Sequence, residues 1–278
     1  MRLAINGACT MTSDLPTDIA AASAAGFRYL EIWAAKMDRF LAASPLEDLG
    51  ALFQKHGVRP ASINSIEFIT FRGPDYANIQ ARTRELCALA QKLGCPSVVV
   101  VPSPTPARET SWDEIRAESV RVLKDLGKIA TGFGVALAFE PLGFGWCSVR
   151  TAWAGFDIVQ QVGMENVGQV LDACHFYGAG SRMDEIDRLD PRSIFIFHLD
   201  DVEHLPKEAI TDARRLMPGT GALPLDDICR RLKKIGFDGL TSVELFRPEY
   251  WSRPAVEVAR EAHRTALAVL SPHFPNIE

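Results

Sequence analysis

The segment VALAFE, residues Val135–Glu140, is an apolar run that ends on a carboxylate, and three later segments share this design. They are VGQVLD at Val167–Asp172, SIFIFH at Ser193–His198 and LTSVE at Leu240–Glu244. Short apolar runs of this kind are typical of strands that are buried on both faces. If the four strands are parallel, their last side chains converge at one end of a β/α barrel. The four segments therefore predict a barrel with a polar site at the carboxyl ends of its strands.

Strand and helix signals alternate along the whole chain and form eight units. The predicted strands are Leu3–Asn6, Tyr29–Trp33, Val58–Ile63, Ser97–Val101, Val135–Glu140, Val167–Asp172, Ile194–His198 and Leu240–Glu244. The predicted helices are Pro16–Ala25, Pro45–His56, Tyr76–Leu93, Trp112–Phe133, Ala152–Val162, Met183–Arg188, Leu225–Ile235 and Ala255–Leu270. Eight such units predict one α/β domain over residues 1–278, a single (β/α)8 TIM barrel. An open doubly wound sheet is the alternative, but Gly7–Asp14 lacks the glycine-rich phosphate loop that such a sheet normally carries after its first strand.

The composition narrows the class of protein. The chain has 47% hydrophobic and 23% charged residues, which is ordinary for a globular protein. Its net charge of −5 and the lack of a basic stripe argue against a nucleic-acid partner. No apolar run is long enough for a membrane-spanning helix, and the N-terminus does not resemble a signal peptide. The six scattered cysteines suggest reduced thiols, so we expect a cytoplasmic protein without a membrane partner.

The four strand-end residues form a candidate metal centre: Glu140, Asp172, His198 and Glu244. A single acid or histidine after a strand is usually a helix cap or a turn residue. Four in the same relative position are better explained as ligands. Three carboxylates and an imidazole suit one divalent ion such as Mn²⁺, Mg²⁺, Co²⁺ or Zn²⁺.

This ligand set also predicts a reaction. A divalent ion that binds a hydroxyketone polarises its carbonyl group and stabilises the enediolate formed when the neighbouring carbon loses a proton. Carboxylates beside the substrate can remove that proton and return it to the next carbon. Glu140 and Glu244 are the predicted acid/base pair. The loops after the strands supply further candidates for substrate binding, by position alone: Trp33, Lys36, Asn64, Trp146 and Arg247. The alternative is that these aromatic residues only pack over the barrel mouth and that Lys36 is solvated.

Five segments resemble a known family of barrels: INSIEFITFR at Ile63–Arg72, LDACHFYGAGS at Leu171–Ser181, FHLDDVE at Phe197–Glu203, LMPGTGALPL at Leu216–Leu225 and SVELFRPEY at Ser242–Tyr250. The chain resembles the xylose-isomerase-like superfamily of sugar isomerases and epimerases, including sugar phosphate isomerases, and within it the inosose isomerase group of inositol catabolism. The resemblance implies the same four metal ligands and the same two catalytic glutamates. It also implies that His175 and Arg215 bind the substrate.

These observations lead to one expected function and two alternatives. We expect a metal-dependent isomerase or epimerase of a ketopolyol, with a small polyol or sugar as its partner and a homo-oligomeric state left open. The first alternative is a lyase on the same scaffold that dehydrates 2-keto-myo-inositol, because it starts with the same proton abstraction. The second is a DNA-repair endonuclease of the endonuclease IV type, which the acidic charge and the six histidines disfavour.

Overall fold

The computed structural model describes residues 1–278, and its main sheet is a closed barrel of eight parallel strands. The barrel strands are β1 (Arg2–Asn6), β2 (Tyr29–Trp33), β3 (Arg59–Ile66), β4 (Ser97–Val100), β5 (Ala136–Phe139), β6 (Val167–Asp172), β7 (Ile194–Leu199) and β10 (Leu240–Val243). β10 pairs with β1 and closes the barrel. Between β7 and β10, the short strands β8 (Asp201–Val202) and β9 (Arg215–Leu216) form an antiparallel pair. The predicted TIM barrel is confirmed.

Helices follow the barrel strands. They are α1 (Leu15–Ala25), α2 (Ala34–Leu41), α3 (Leu46–His56), α4 (Tyr76–Leu93), α5 (Trp112–Thr131), α6 (Ala152–Val162), α7 (Ala173–Gly178), α8 (Met183–Ile186), α9 (Leu225–Ile235), α10 (Pro248–Trp251) and α11 (Ala255–Leu270). Local sequence sets their ends, as α1 illustrates. The Asp14 side chain accepts a hydrogen bond from the backbone N–H of Thr17 at 2.9 Å, and Gly26 ends the helix at a φ of 97°.

Three short helices and the β8–β9 pair were not predicted. α2 and α7 begin directly after β2 and β6, so no glycine or proline in the sequence separates strand from helix. α10 is only four residues long, which is too short to show a helical period. The predicted third strand also extends further, to Ile66. These additional elements matter because they lie at the carboxyl ends of the strands, where the predicted site is.

The barrel interior has an apolar layer and a polar layer. The apolar layer consists of Ala4, Tyr29, Ala61, Val99, Val101, Ala138, Val170, Ile196 and Leu240, which pack together as one cluster. Side chains two residues apart on a strand point to the same face. Val170 and Asp172 on β6 are therefore in successive layers, as are Ile196 and His198 on β7. The polar layer is the carboxyl end of the barrel.

The structure also bears on two expectations from the sequence, that no helix spans a membrane and that the cysteines are reduced. None of the helices combines the length and the apolar character needed to cross a membrane. All six cysteines are buried and none forms a disulfide. Burial raises the pKa of the Cys147 thiol to about 11 and that of Cys174 well above its ordinary value. Neither thiol therefore has the thiolate character that a nucleophile needs at neutral pH.

Candidate metal centre and active-site cavity

The four predicted metal ligands converge in the polar layer. One ligand atom from each of Glu140, Asp172, His198 and Glu244 lies within 4.8 Å of the others, and all four residues are buried. The Nδ1 atom of His198 is at the centre. It lies 2.8 Å from Oε1 of Glu140, 3.2 Å from Oε2 of Glu244 and 3.6 Å from Oδ2 of Asp172. The cluster arises because each of these residues lies at or within one residue of the carboxyl end of a strand in one closed barrel.

The chemistry of this donor set fits a divalent cation. Three buried carboxylates repel one another and lose the solvation that water would give them. Burial, together with the charges of Glu244 and Asp172, raises the pKa of Glu140 to about 8, although the facing His198 opposes the shift. A divalent ion held by these carboxylates and by the imidazole would neutralise this excess charge.

Glu31 on β2 belongs to the polar layer and had no predicted role. Its two carboxylate oxygens lie 3.1 and 3.3 Å from Nε2 of His198, on the ring edge away from the four-residue cluster. Burial acts to raise the pKa of Glu31, but the charge of His198 outweighs it and the pKa is lowered. Alternation along β2 could have identified this residue, because Glu31 shares a strand face with Tyr29 of the apolar layer.

Two asparagines fix the orientation of Glu244. The side-chain amides of Asn6 and Asn64 each donate a hydrogen bond to its Oε1 atom at 2.9 Å. The same amide nitrogen of Asn64 lies 3.3 Å from Oε1 of Glu31. With Oε1 occupied by two donors, Oε2 of Glu244 faces His198 in the candidate metal centre, 3.2 Å from Nδ1. Asn64 was a predicted site residue, whereas the end of the first strand, Asn6, was missed.

Arg215 on β9 is buried beside the cluster and surrounded by acids. Its guanidinium donates to Oδ2 of Asp172 at 2.6 Å and also to Asp200. Asp212 accepts a further hydrogen bond from its Nε atom at 3.1 Å. Burial acts to lower the pKa of Arg215, but these acids raise it well above its ordinary value. The positive charge of Arg215 is therefore neutralised by the protein itself.

His175 on α7 has one ring nitrogen that is buried without a hydrogen-bond partner. Its backbone N–H donates to Oδ1 of Asp172 at 2.7 Å, which places the ring next to the cluster. Nη2 of Arg215 lies 3.2 Å from Nε2 of His175 and can only donate, so the ring proton is assigned to Nδ1. Nδ1 is buried and has no partner in the protein. Burial lowers the pKa of His175, which favours this neutral form.

A cavity of about 230 Å³ opens above these residues. Its polar lining includes Glu140, His175, Arg215, Glu244 and Asn64. Its apolar wall is mostly aromatic and consists of Trp33, Phe68, Phe144, Trp146 and Phe246 with Val101 and Leu142. Trp146 is 46% exposed and stacks on Phe144 with the ring centroids 5.6 Å apart. Trp33, Asn64 and Trp146, which were substrate-binding candidates from position alone, therefore lie at the cavity.

Two of the substrate-binding candidates do not lie at the cavity, and this corrects the sequence analysis. Because α2 begins directly after β2, the Lys36 ammonium is turned toward α1, where it lies 2.6 Å from Asp18. It also donates to the carbonyl oxygens of Gly7 and Thr10. Arg247 precedes α10 and pairs with Glu203 at 2.6 Å.

Comparisons with known proteins agree with this architecture. The sequence profile of the xylose isomerase-like TIM barrel family matches residues 19–268. The inosose isomerases of Bacillus velezensis and Bacillus subtilis are each 37% identical to this chain over 277 residues, which is 99% of both chains in each pair.

Two solved structures have the same barrel fold as this chain. The crystal structure of the IOLI protein, which contains a zinc atom, superposes with a TM-score of 0.96 at 36% identity and covers 99% of this chain and 100% of its own. D-psicose 3-epimerase from Clostridium cellulolyticum H10, solved with D-tagatose, has a TM-score of 0.78 and 21% identity. It covers 99% of each chain, and at that identity the likeness shows the fold alone.

Proposed function

The chain belongs to the xylose isomerase-like TIM barrel family, and from that premise we propose that it is a metal-dependent isomerase or epimerase of an inosose-type ketopolyol. The observation that carries the proposal is the cluster of Glu140, Asp172, His198 and Glu244 beside the cavity. The inosose isomerases that match the chain over almost its full length, and the zinc atom in the IOLI protein, support it.

One divalent ion is the proposed cofactor, held by the three carboxylates and by Nδ1 of His198. When bound, such an ion polarises the substrate carbonyl and stabilises the negative charge of an enediolate. The residues themselves must move the proton, since the ion cannot accept it.

We propose Glu140 and Glu244 as the acid/base pair. Both line the cavity, but their surroundings differ. Oε1 of Glu244 is held by Asn6 and Asn64, so its carboxylate has a fixed orientation. The Glu140 carboxyl contacts His198, and without a bound ion its pKa is raised to about 8 by burial and by neighbouring acids. A carboxylate beside the substrate can accept a proton from one carbon and return it to the next.

Single glutamine variants test this pair. Glu140→Gln and Glu244→Gln keep the size and one ligand oxygen but remove the base, so each should lower turnover by at least about 10²-fold. Exchange of the substrate proton with D₂O separates the two roles. The variant that lacks the base for that proton loses exchange, whereas the other retains it. If both variants bind metal and keep near-normal turnover, the base is another residue.

The cavity lining indicates how the substrate is bound. His175 and Arg215 both line the cavity, with Nη2 of Arg215 3.2 Å from Nε2 of His175, so both residues can contact a bound polyol. Arg215 is the only lysine or arginine in the lining, and its charge is already neutralised by acids. The site therefore favours an uncharged polyol over a phosphorylated one. The aromatic wall can pack against the C–H face of such a ring.

The decisive experiment is incubation of metal-loaded protein with 2-keto-myo-inositol in D₂O, followed by NMR. An isomeric inosose with deuterium next to the carbonyl supports the proposal. A dehydrated product identifies a lyase on the same scaffold, which is the second candidate. No exchange and no product, with metal bound, would refute both activities on this substrate.

The remaining expectations about the chain are part of this proposal. We propose one domain over residues 1–278 that acts on a small polyol in the cytoplasm, without a nucleic-acid partner. The net charge of −5 and the six buried thiols support this. The oligomeric state is left open, and light scattering would measure it.

A further inference from the structure

The imidazole of His198 has different partners on its two nitrogens. Nδ1 faces the carboxylates of Glu140, Asp172 and Glu244, whereas Nε2 faces only Glu31. Glu31 is not one of the four residues whose ligand atoms lie close together. An ion bound at Nδ1 is on a different edge of the ring from Glu31, so the geometry makes Glu31 a partner of the histidine and not a ligand.

We propose that Glu31 is a positioning residue that fixes the tautomer and the orientation of His198. Its carboxylate accepts the Nε2 proton, which leaves the lone pair of Nδ1 directed at the metal. Carboxylates that hold a ligand histidine in this way raise its basicity and strengthen metal binding. The inference rests on the proposed metal site and adds a residue that no motif in the sequence identified.

The surroundings of Glu31 support this role. Glu31 and His198 are both fully buried, so the carboxylate has no water to stabilise its charge. Its contacts in the polar layer include Nε2 of His198 and the Asn64 amide at 3.3 Å. The same amide also donates to Glu244, so Asn64 fixes the Glu31 and Glu244 carboxylates relative to each other. The Glu31 side chain does not line the cavity, so it cannot contact a substrate bound there.

The test measures metal affinity, since activity alone would not separate positioning from catalysis. In Glu31→Gln, the amide oxygen can still accept the Nε2 proton but carries no charge. We expect Zn²⁺ to bind about 10- to 100-fold more weakly in competition with a chelating dye, with one ion still bound at saturation. The matched control is Asp18→Asn, which removes another buried carboxylate, from the Lys36 pair. It should lower the stability of the fold but leave the Zn²⁺ affinity unchanged.

A second measurement needs no variant. The chain has six histidines, so long-range ¹H–¹⁵N spectra of the labelled, Zn²⁺-loaded protein can report the tautomer of each ring. We expect His198 to carry its proton on Nε2. Unchanged Zn²⁺ affinity in folded Glu31→Gln, or a His198 proton on Nδ1, overturns the proposal. Loss of the ion at every concentration would make Glu31 a ligand. If wild-type protein binds no ion, the proposed metal site itself fails.

Discussion

The two layers inside the barrel differ in almost every respect, although the same strands build them. Val170 and Ile196 belong to a layer in which side chains fill space and need no partner. Two residues further along each strand, Asp172 and His198 belong to a layer of buried charges. Burying an aliphatic side chain stabilises the fold by about 1.5–3 kcal/mol, whereas burying a charge costs free energy unless it is paired. The first layer therefore stabilises the fold, whereas the second lowers its stability unless its charges are paired.

The polar layer is only partly compensated. Arg215 and His198 balance some of the carboxylates, and the Asn6 and Asn64 amides satisfy Glu244. Burial and the nearby Asp172 nevertheless raise the pKa of Asp200 well above its ordinary value, and one of its oxygens has no partner. An uncompensated cluster of this kind is typical of a functional site, where local stability is lower than it could be.

The largest effect should follow from moving a charge into the apolar layer. Val170→Asp places a carboxylate among aliphatic side chains, one layer below Asp172. We expect a loss of more than about 4 kcal/mol in the free energy of unfolding, measured by urea denaturation. Val170→Ala, which only removes volume, should cost roughly 1–3 kcal/mol. A loss below that of the alanine control would show that the two layers do not differ as described.

The buried ion pair of Lys36 and Asp18, outside the barrel, should affect the stability of the fold but not turnover. Lys36 pairs with Asp18 between α2 and α1, and neither residue lines the cavity. Lys36→Met leaves the buried Asp18 without its partner and should cost about 3 kcal/mol of stability. Turnover per folded molecule should stay unchanged, because the pair serves the fold. A variant with normal stability and reduced turnover would instead return Lys36 to the list of substrate-binding residues.

A smaller, pH-dependent effect should come from Glu140 in the metal-free protein. Its pKa is raised from 4.5 to about 8 by burial and neighbouring acids. Its contribution to stability is therefore fully present below about pH 4.5 and is lost as the pH rises through about 8. After chelator treatment, Glu140→Gln should lose less stability than wild type between pH 5 and pH 9, by on the order of 1 kcal/mol or more. Parallel urea-denaturation profiles across that range would contradict the assigned environment.

The sequence by itself determined the barrel fold and predicted the four residues that form the candidate metal centre. Period and composition are local properties, so alternating strand and helix signals predicted eight units and most of their boundaries. Glu140, Asp172, His198 and Glu244 were visible because each ends an apolar run, and parallel strands bring such ends together. Once the barrel fold is inferred, residues that repeat at strand ends along the chain are expected to lie together at one end of the barrel.

Only the tertiary structure decided which other side chains join the site. The register of β1 and β2 in the barrel places Asn6 and Glu31 at the site. Helix α2 directs Lys36 away from the site, toward Asp18. Arg215 reaches the cluster because the β8–β9 pair places it there, 43 residues along the chain from Asp172. The orientation of a side chain depends on the helix or strand that carries it and on what packs against that element. Those contacts join residues far apart in the chain, so no local stretch of sequence contains them.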